Sequence, residues 1–280
     1  ELKWIDDHIG GRPYGVDMVF SSTSTTVEFK DSPREILPRE NVDFINGLLD
    51  AEGIPPLPED EVKGWYADYT RNLSFSPEVS EALLEVALKH PIKLVVSALG
   101  VAPDHVIQRV KAQGIKYGGI VGSVRQAQKQ VAAGADLVIA QGSEAGGHTG
   151  KVTSMVLWPE IVDAVAPVPV LAAGGIGRGR QMAAALALGT EGVWCGSIWL
   201  GTTESELTPD MRDVIYAATA EDAVITLGYT GKPCRAVRSK YTEAWLRPDA
   251  PAPLKQVPMQ SILSGELFRR VERARRKDWM

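Results

Sequence analysis

The chain has 280 residues, 44% of them hydrophobic and 23% charged, with a formal net charge of −5. That is the composition of an ordinary globular protein with one large core or two modest ones, and it excludes a disordered chain and a basic partner for a polyanionic duplex. No apolar run approaches the roughly 20 residues of a membrane helix, and two cysteines, Cys195 and Cys234, are too few for a disulfide framework or a four-ligand zinc site.

The expectation is therefore a cytoplasmic protein that binds neither nucleic acid nor membrane and holds no metal. Because the chain opens on Glu1 rather than Met, a processed or truncated product is also expected. The first element reads as a helix ending at Gly10-Gly11, followed by a strand over "PYGVDMVF", Pro13 to Phe20. Residues 21 to about 76 are rich in Ser, Thr, Pro and charge, with "EGIPPLPEDE" as a break and helical stretches at Asn41 to Leu49 and Asp60 to Tyr69. A segment of that length between strand and helix is either a lid or a surface elaboration.

From residue 91 onward, short apolar runs alternate with alanine-rich stretches. Strands are predicted at Lys93 to Ser97, Tyr117 to Val121, Leu137 to Ala140, Val170 to Ala173 and Gly192 to Ser197. Near-continuous apolar character implies burial on both faces, hence a parallel sheet covered by helices. "AQGIKYGGI", "AAGADLVIA" and "ALGTEGVWC" repeat a helix-ending glycine followed by a strand, as successive βα units do. The organisation is then 1–20, helix and strand; 21–90, the excursion; 91–245, the main βα portion; and 246–280, a tail and terminal helix. The cationic run "FRRVERARRK" reads as that helix's solvated face.

Two stretches carry chemistry. In "PVLAAGGIGRGRQMAAALALGTEGVWCGSIW" a strand runs into Gly174-Gly175, a helix follows, and the next strand ends at Gly196-Ser197. Glycine loops on the last two strands of a barrel, beside a helix N-terminus, are its recurrent phosphate site, so Gly174, Gly175, Gly196 and Ser197 are the candidate phosphate cradle. The alternative is tight strand–helix packing. "QGSEAGGHTG", Gln141 to Gly150, puts His148 among glycines at a strand's carboxyl end, where bare backbone admits a planar ligand and an imidazole can take a proton near neutrality. His8, His90 and His105 stand beside charged or polar residues and read as exposed. Glu144 reads as a loop anchor through backbone N–H groups, and Cys195 as an inert core residue.

These two motifs together resemble the nitronate monooxygenase family over roughly residues 91 to 245, with "PYGVDM" a further match. The resemblance implies a TIM (β/α)8-type barrel holding one FMN at its strand ends. The phosphate would lie on Gly174-Gly175 and Gly196-Ser197, and the isoalloxazine near Asp17, Gln141, Gly146, Gly147 and His148. His148 matches the histidine that abstracts the α-proton of a neutral nitroalkane. The family pattern has two earlier strands with no counterpart before Glu1, so the barrel is expected to lack them, the chain being a fragment or relying on another chain. Ile120 to Ser123 also offers no counterpart to a lysine found in some relatives.

Four readings remain at this point: oxidation of nitronates with oxygen; NAD(P)H-dependent flavin reduction of an acyl-CoA or quinone, with Lys232, Arg235 and Arg238 either meeting the anionic substrate or forming an ordinary charged surface; a non-redox sugar-phosphate barrel; and a truncated structural remnant that binds no flavin. The partners are then small molecules, and a homodimer is an admissible assembly.

Overall fold

The computed structural model describes residues 1–20, 36–58, 60–62, 64, 76–256 and 258–280. In chain order these form α1 (Leu2–His8), β1 (Gly15–Met18), α2 (Arg39–Ala51), α3 (Pro77–Ala87), β2 (Leu94–Ser97), α4 (Asp104–Ala112) and β3 (Lys116–Val121). Next come α5 (Val124–Ala132), β4 (Leu137–Gln141), β5 (Gly147–His148), α6 (Ser154–Val165), β6 (Val170–Ala173), α7 (Gly179–Ala187) and β7 (Gly192–Trp194). The last elements are α8 (Pro209–Ala217), β8 (Ala223–Thr226), β9 (Cys234–Val237), α9 (Lys240–Ala244) and α10 (Met259–Arg273). The described residues fall into two units: 1–20, 76–145 and 149–195 in one, and 36–64, 146–148 and 196–280 in the other.

The first unit is built on six parallel strands in the order β1-β2-β3-β4-β6-β7. Each strand joins the one before it, with no reversal of direction along the sheet. A doubly wound sheet has a switch point; this order has none and belongs to a TIM-barrel-like α/β fold. The helices repeat the local signals. Ser76 and Ser123 cap α3 and α5, accepting from Val79 N at 3.2 Å and Gln126 N at 3.4 Å. The three repeated glycines, Gly114, Gly134 and Gly189, follow α4, α5 and α7 at φ of 70°, 93° and 93°, so each helix stops where the repeat predicts.

Strand alternation divides this sheet into two faces. Val95, Tyr117, Val138, Ala140, Val170 and Ala172 are buried against the helices. Val96, Ile139 and Ala173 are buried on the other face, but Leu94, Ile120, Leu137, Leu171 and Trp194 beside them are only half-buried. The expectation of full burial on both faces is thus corrected: among the described residues helices cover one face alone. Among the described residues β1 and β7 are the sheet's edges, and eight strands are not reached.

Other boundaries shift for local reasons. The strand expected over Gly192 to Ser197 ends at Trp194, because Gly196 (φ −111°, ψ −71°) bends the chain into a 3-10 turn, Ser197–Gly201. Cys195 consequently lies just past the strand, half-buried, and packs on the helix-facing cluster. The helix expected over Asn41 to Leu49 runs from Arg39 to Ala51, starting directly after Pro38. Most of the stretch expected to be helical over Asp60 to Tyr69 lies outside the described residues. His90 is also corrected: its Nδ1 lies 2.5 Å from Asp6 Oδ2, while Tyr14 donates to Asp6 Oδ1 at 2.5 Å. These two partners hold the Asp6 carboxyl below its ordinary value.

One close approach predicts a stability change. Tyr117 donates to Gln130 Oε1 at 2.9 Å and accepts from Ala102 N at 3.0 Å, and Gln130 Nε2 donates to Gly100 O at 2.7 Å. A Cβ on Gly119 would stand 2.1 Å from Gln130 Nε2. Gly119→Ala is expected to displace Gln130, break this buried network and destabilise the fold by about 1–3 kcal/mol. Urea unfolding with an unshifted midpoint would contradict it.

In the second unit, β5, β9 and β8 form an antiparallel sheet in that order. Its core gathers Ile45 and Leu49 of α2 with Ile262, Leu263, Leu267 and Val271 of α10. The cationic run is not a uniformly solvated face. Arg270 is 3% exposed and bound to Pro55 O, Ile54 O and Asn46 Oδ1. Arg273 pairs with Glu61, Arg275 with Asp210, Arg276 with Glu52 and Asp278, and Lys277 with Asp210 and Asp213. Among the described residues no helix is long and apolar enough to cross a membrane, and no group of three potential ligands is placed to hold a metal.

Candidate functional site

In the first unit the chemistry gathers at the carboxyl ends of the parallel strands. Parallel pairing sets Gln141 beside Ala173 and Ala173 beside Trp194, one row at the rim of β4, β6 and β7. Among the described residues the Gln141 amide has no side-chain hydrogen bond. Asp17 is paired with Val96 and shares its face of the sheet. Solvent reaches part of the Asp17 side chain, yet the carboxyl itself is desolvated and is pushed up to about 6, opposed by a hydrogen bond from the backbone of Met18.

After β4 the chain turns sharply, and Glu144 secures the turn. Its carboxylate accepts from Ser154 N at 2.9 and 3.1 Å and from Ser154 Oγ at 2.8 Å. Ser154 is the first residue of α6, so an anion meets the positive end of a helix, as the loop-anchor expectation required. Ser154 Oγ is also 3.0 Å from Gly174 O, tying the turn after β4 to the one after β6. The double glycine follows from this packing. A Cβ at Gly174 would stand 2.9 Å from Gly142 O, and one at Gly175 would stand 3.1 Å from Glu144 Cβ. Both residues also have positive φ, 101° and 76°. The closeness anticipated as strand against helix is therefore between two neighbouring turns.

In the second unit His148 lies on a two-residue strand rather than in the loop expected for it. Gly147 and His148 pair antiparallel with Arg235 and Cys234 of β9. Gly147 reaches this register at φ 73°, and no atom lies within 4 Å of where its Cβ would be. His148 Nε2 is 2.8 Å from Thr230 Oγ1, a residue 82 positions away in the β8–β9 loop. The residue is exposed, yet the imidazole is partly desolvated, and that burial, with the Lys232 ammonium second, lowers its pKa below the ordinary 6.5. A neutral histidine able to accept a proton in mildly acidic as well as neutral solution is the consequence. Opposite it, burial raises the Cys234 thiol, keeping it protonated at neutral pH.

Gly146, Gly196 and Ser197 belong to this unit too. A Cβ on Gly146 would come 3.3 Å from Ser197 Oγ, whereas Gly196 has no atom within 4 Å of its Cβ position. Of the three cations, Arg235 Nη1 donates to Ala223 O at 2.7 Å, and Arg238 lies 3.9 Å from Glu243. Thr230 and Ser154 were missed by sequence reasoning. Thr230 acts through a partner 82 positions away and Ser154 through partners 10 and 20 positions away, and nothing in the local pattern distinguishes either from other hydroxyl residues.

The sequence profile described as nitronate monooxygenase matches residues 50–274. The chain belongs to the nitronate monooxygenase family. A Mycobacterium tuberculosis protein named as a monooxygenase is 45% identical over 278 residues, 98% of this chain and 73% of its own length. A Staphylococcus aureus protein named as a nitronate monooxygenase is 31% identical over 226 residues, 74% of this chain and 63% of its own length. The chain thus spans 63% to 73% of the length of these two relatives. The crystal structure of a nitroalkane oxidase from Streptomyces ansochromogenes superposes with a TM-score of 0.76 at 26% identity, covering 100% of this chain and 76% of that one. Membership of the nitronate monooxygenase family makes the protein an oxidoreductase by kind and agrees with its TIM-barrel-like sheet.

Proposed function

We propose that the protein is an FMN-dependent oxidoreductase that removes an α-proton from a nitroalkane and oxidises the resulting nitronate with oxygen. The observation that carries this reading is His148: a neutral imidazole held by Thr230, with its pKa depressed by burial and by Lys232, in a chain of the nitronate monooxygenase family. A proton on carbon beside a nitro group is only weakly acidic, and a fixed neutral base suits its removal. The C–H electron pair then remains on the substrate as the nitronate, while the proton stays on His148.

The residues present fit FMN. Gly147 and Gly196 offer backbone with open space beside it, Ser197 offers a hydroxyl, and Gln141 an amide with no side-chain partner among the described residues. Hydroxyl, amide and bare N–H groups are the donor set that a phosphate and a planar heterocycle require. In this reading the residues that the family resemblance implies for FMN are, in the first unit, Asp17, Gln141, Gly174 and Gly175 and, in the second, Gly146, Gly147, Gly196 and Ser197. FMN supplies the redox chemistry when bound. A reductase acting on an acyl-CoA is less well served, because Arg235 is turned onto a backbone carbonyl and Arg238 toward Glu243.

The test is anaerobic mixing of the yellow protein with ethylnitronate and, separately, with NADH. Rapid loss of flavin absorbance with ethylnitronate and none with NADH is expected; the opposite result would remove this reading, and a colourless protein that takes up no FMN would remove the flavin.

A pH profile follows from Lys232. Its positive charge disfavours the imidazolium, so Lys232→Met is expected to raise the His148 pKa toward 6.5. The acid limb of kcat/KM for nitroethane should then move to higher pH. An acid limb that stays in place would show that Lys232 does not act on the base.

A further inference from the structure

The hydrogen bond between Thr230 and the imidazole bears on which nitrogen can act. Thr230 Oγ1 has one hydrogen. It lies 2.8 Å from His148 Nε2, 3.5 Å from Lys232 O and 3.4 Å from Lys232 N, from which it accepts. Among the described residues Nδ1 has no hydrogen-bond partner. Two arrangements satisfy these contacts. In one, the hydroxyl donates to Nε2, Nδ1 carries the ring hydrogen, and both nitrogens are spent. The imidazole then cannot take a proton without breaking its shortest contact. In the other, the hydroxyl proton turns to Lys232 O, Nε2–H donates to Oγ1, and Nδ1 presents a free lone pair. When Nδ1 takes a proton, the Nε2–H···Oγ1 bond persists with the same donor and strengthens with the ring's charge, so nothing need reorganise during the transfer.

We infer that Thr230 is a positioning residue that selects the Nε2–H tautomer of His148 and leaves Nδ1 as the proton acceptor. This rests on the reading of His148 as the base, and deepens it. In the step so described the carbon–hydrogen bond breaks, its electron pair stays on the substrate carbon, and the proton forms a bond to Nδ1. The groups facing His148 are few. Lys232 and Thr230 approach from the β8–β9 loop, and Cys234, with its thiol protonated, stands opposite on β9. Arg235, opposite Gly147, donates to Ala223 O. None of them other than Thr230 is hydrogen-bonded to the imidazole.

The experiment uses the full chain with uniformly 15N-labelled histidine, the His148 signals being assigned from His148→Gln. In the parent, Nε2 is expected at the protonated, pyrrole-type shift and Nδ1 at the unprotonated, pyridine-type shift. Thr230→Val, which removes the acceptor and keeps the shape, should move both shifts toward their tautomer-averaged values. It should also lower kcat/KM for nitroethane roughly three- to tenfold, the worth of one hydrogen bond. The acid limb should move to lower pH, since the imidazolium loses its partner. Thr230→Ser should restore all three.

Unchanged 15N shifts and an unchanged acid limb in Thr230→Val would overturn the assignment, as would a parent with Nδ1 protonated. Should His148→Gln itself keep full nitroethane turnover, the reading of the base falls and this inference with it. Loss of turnover in His148→Gln beside unaltered signals in Thr230→Val overturns the role of Thr230 alone.

Discussion

Replacing His148 by glutamine is expected to lower kcat/KM for nitroethane by about 10²- to 10⁴-fold, the usual contribution of a positioned general base. Turnover of pre-formed ethylnitronate should be nearly unaffected. The contrast follows from where the proton is: the neutral nitroalkane must give one up, and the anion already has. Glutamine retains a planar polar group of similar length that can still meet Thr230 Oγ1, so the antiparallel pairing of β5 with β9 has no reason to rearrange. What it lacks is basicity. Equal losses on the two substrates would mean that His148 only shapes the site, and an undiminished rate with nitroethane would mean that the proton leaves by another route. The pH profile of the parent adds a check. Because burial and Lys232 depress the His148 pKa, nitroethane activity should persist below pH 6.5 and fall only as the pH drops through the lowered value.

The parallel sheet was legible because its signals are local. A helix ends at Gly134 and Leu137 begins a strand within the same short stretch, so "AAGADLVIA" alone specifies the transition. The same holds around Gly114 and Gly189. The strand ends were legible only where no turn intervened: the apolar character of Gly192 to Cys195 resumes at Ile198 and Trp199, beyond the point at which Gly196 bends the backbone. His148 was recognisable as a reactive residue among glycines, but its strand was not. Two residues carry no periodicity, and β5 exists only because β9 lies beside it. The double glycine shows a different limit. Its sequence fits a phosphate cradle and a tight crossing of turns equally well, and the atoms that require glycine, Gly142 O and Glu144 Cβ, come from another turn. Thr230 was invisible for the same reason.

Arg270 was misread in the same way, and its replacement by methionine is expected to destabilise the protein by about 3–5 kcal/mol. Its position in "FRRVERARRK" suggests one more solvated charge, whereas its burial depends on carbonyls 215 and 216 positions earlier. Nε donates to Pro55 O at 3.0 Å, Nη1 to Asn46 Oδ1 at 2.8 Å and Nη2 to Ile54 O at 2.9 Å. Asp50, 3.6 Å from Nη2, is 70% exposed and would remain solvated without its partner. The change therefore leaves no buried charge behind; its cost comes from three acceptors deprived of donors, each worth about 1–3 kcal/mol where water does not replace the lost bond. Removing the guanidinium also recovers its own desolvation, and methionine refills most of the volume, which together hold the total below the simple sum. Arg270→Lys keeps the charge, but one ammonium cannot address three acceptors arranged for a planar fork, so it should recover less than half of the loss. Urea unfolding with an unchanged m-value and a lowered midpoint is the expected record of both. An Arg270→Met midpoint equal to the parent's would show that water reaches Ile54 and Pro55 as readily as the guanidinium does, and that the packing of α10 on α2 rests on its apolar residues alone.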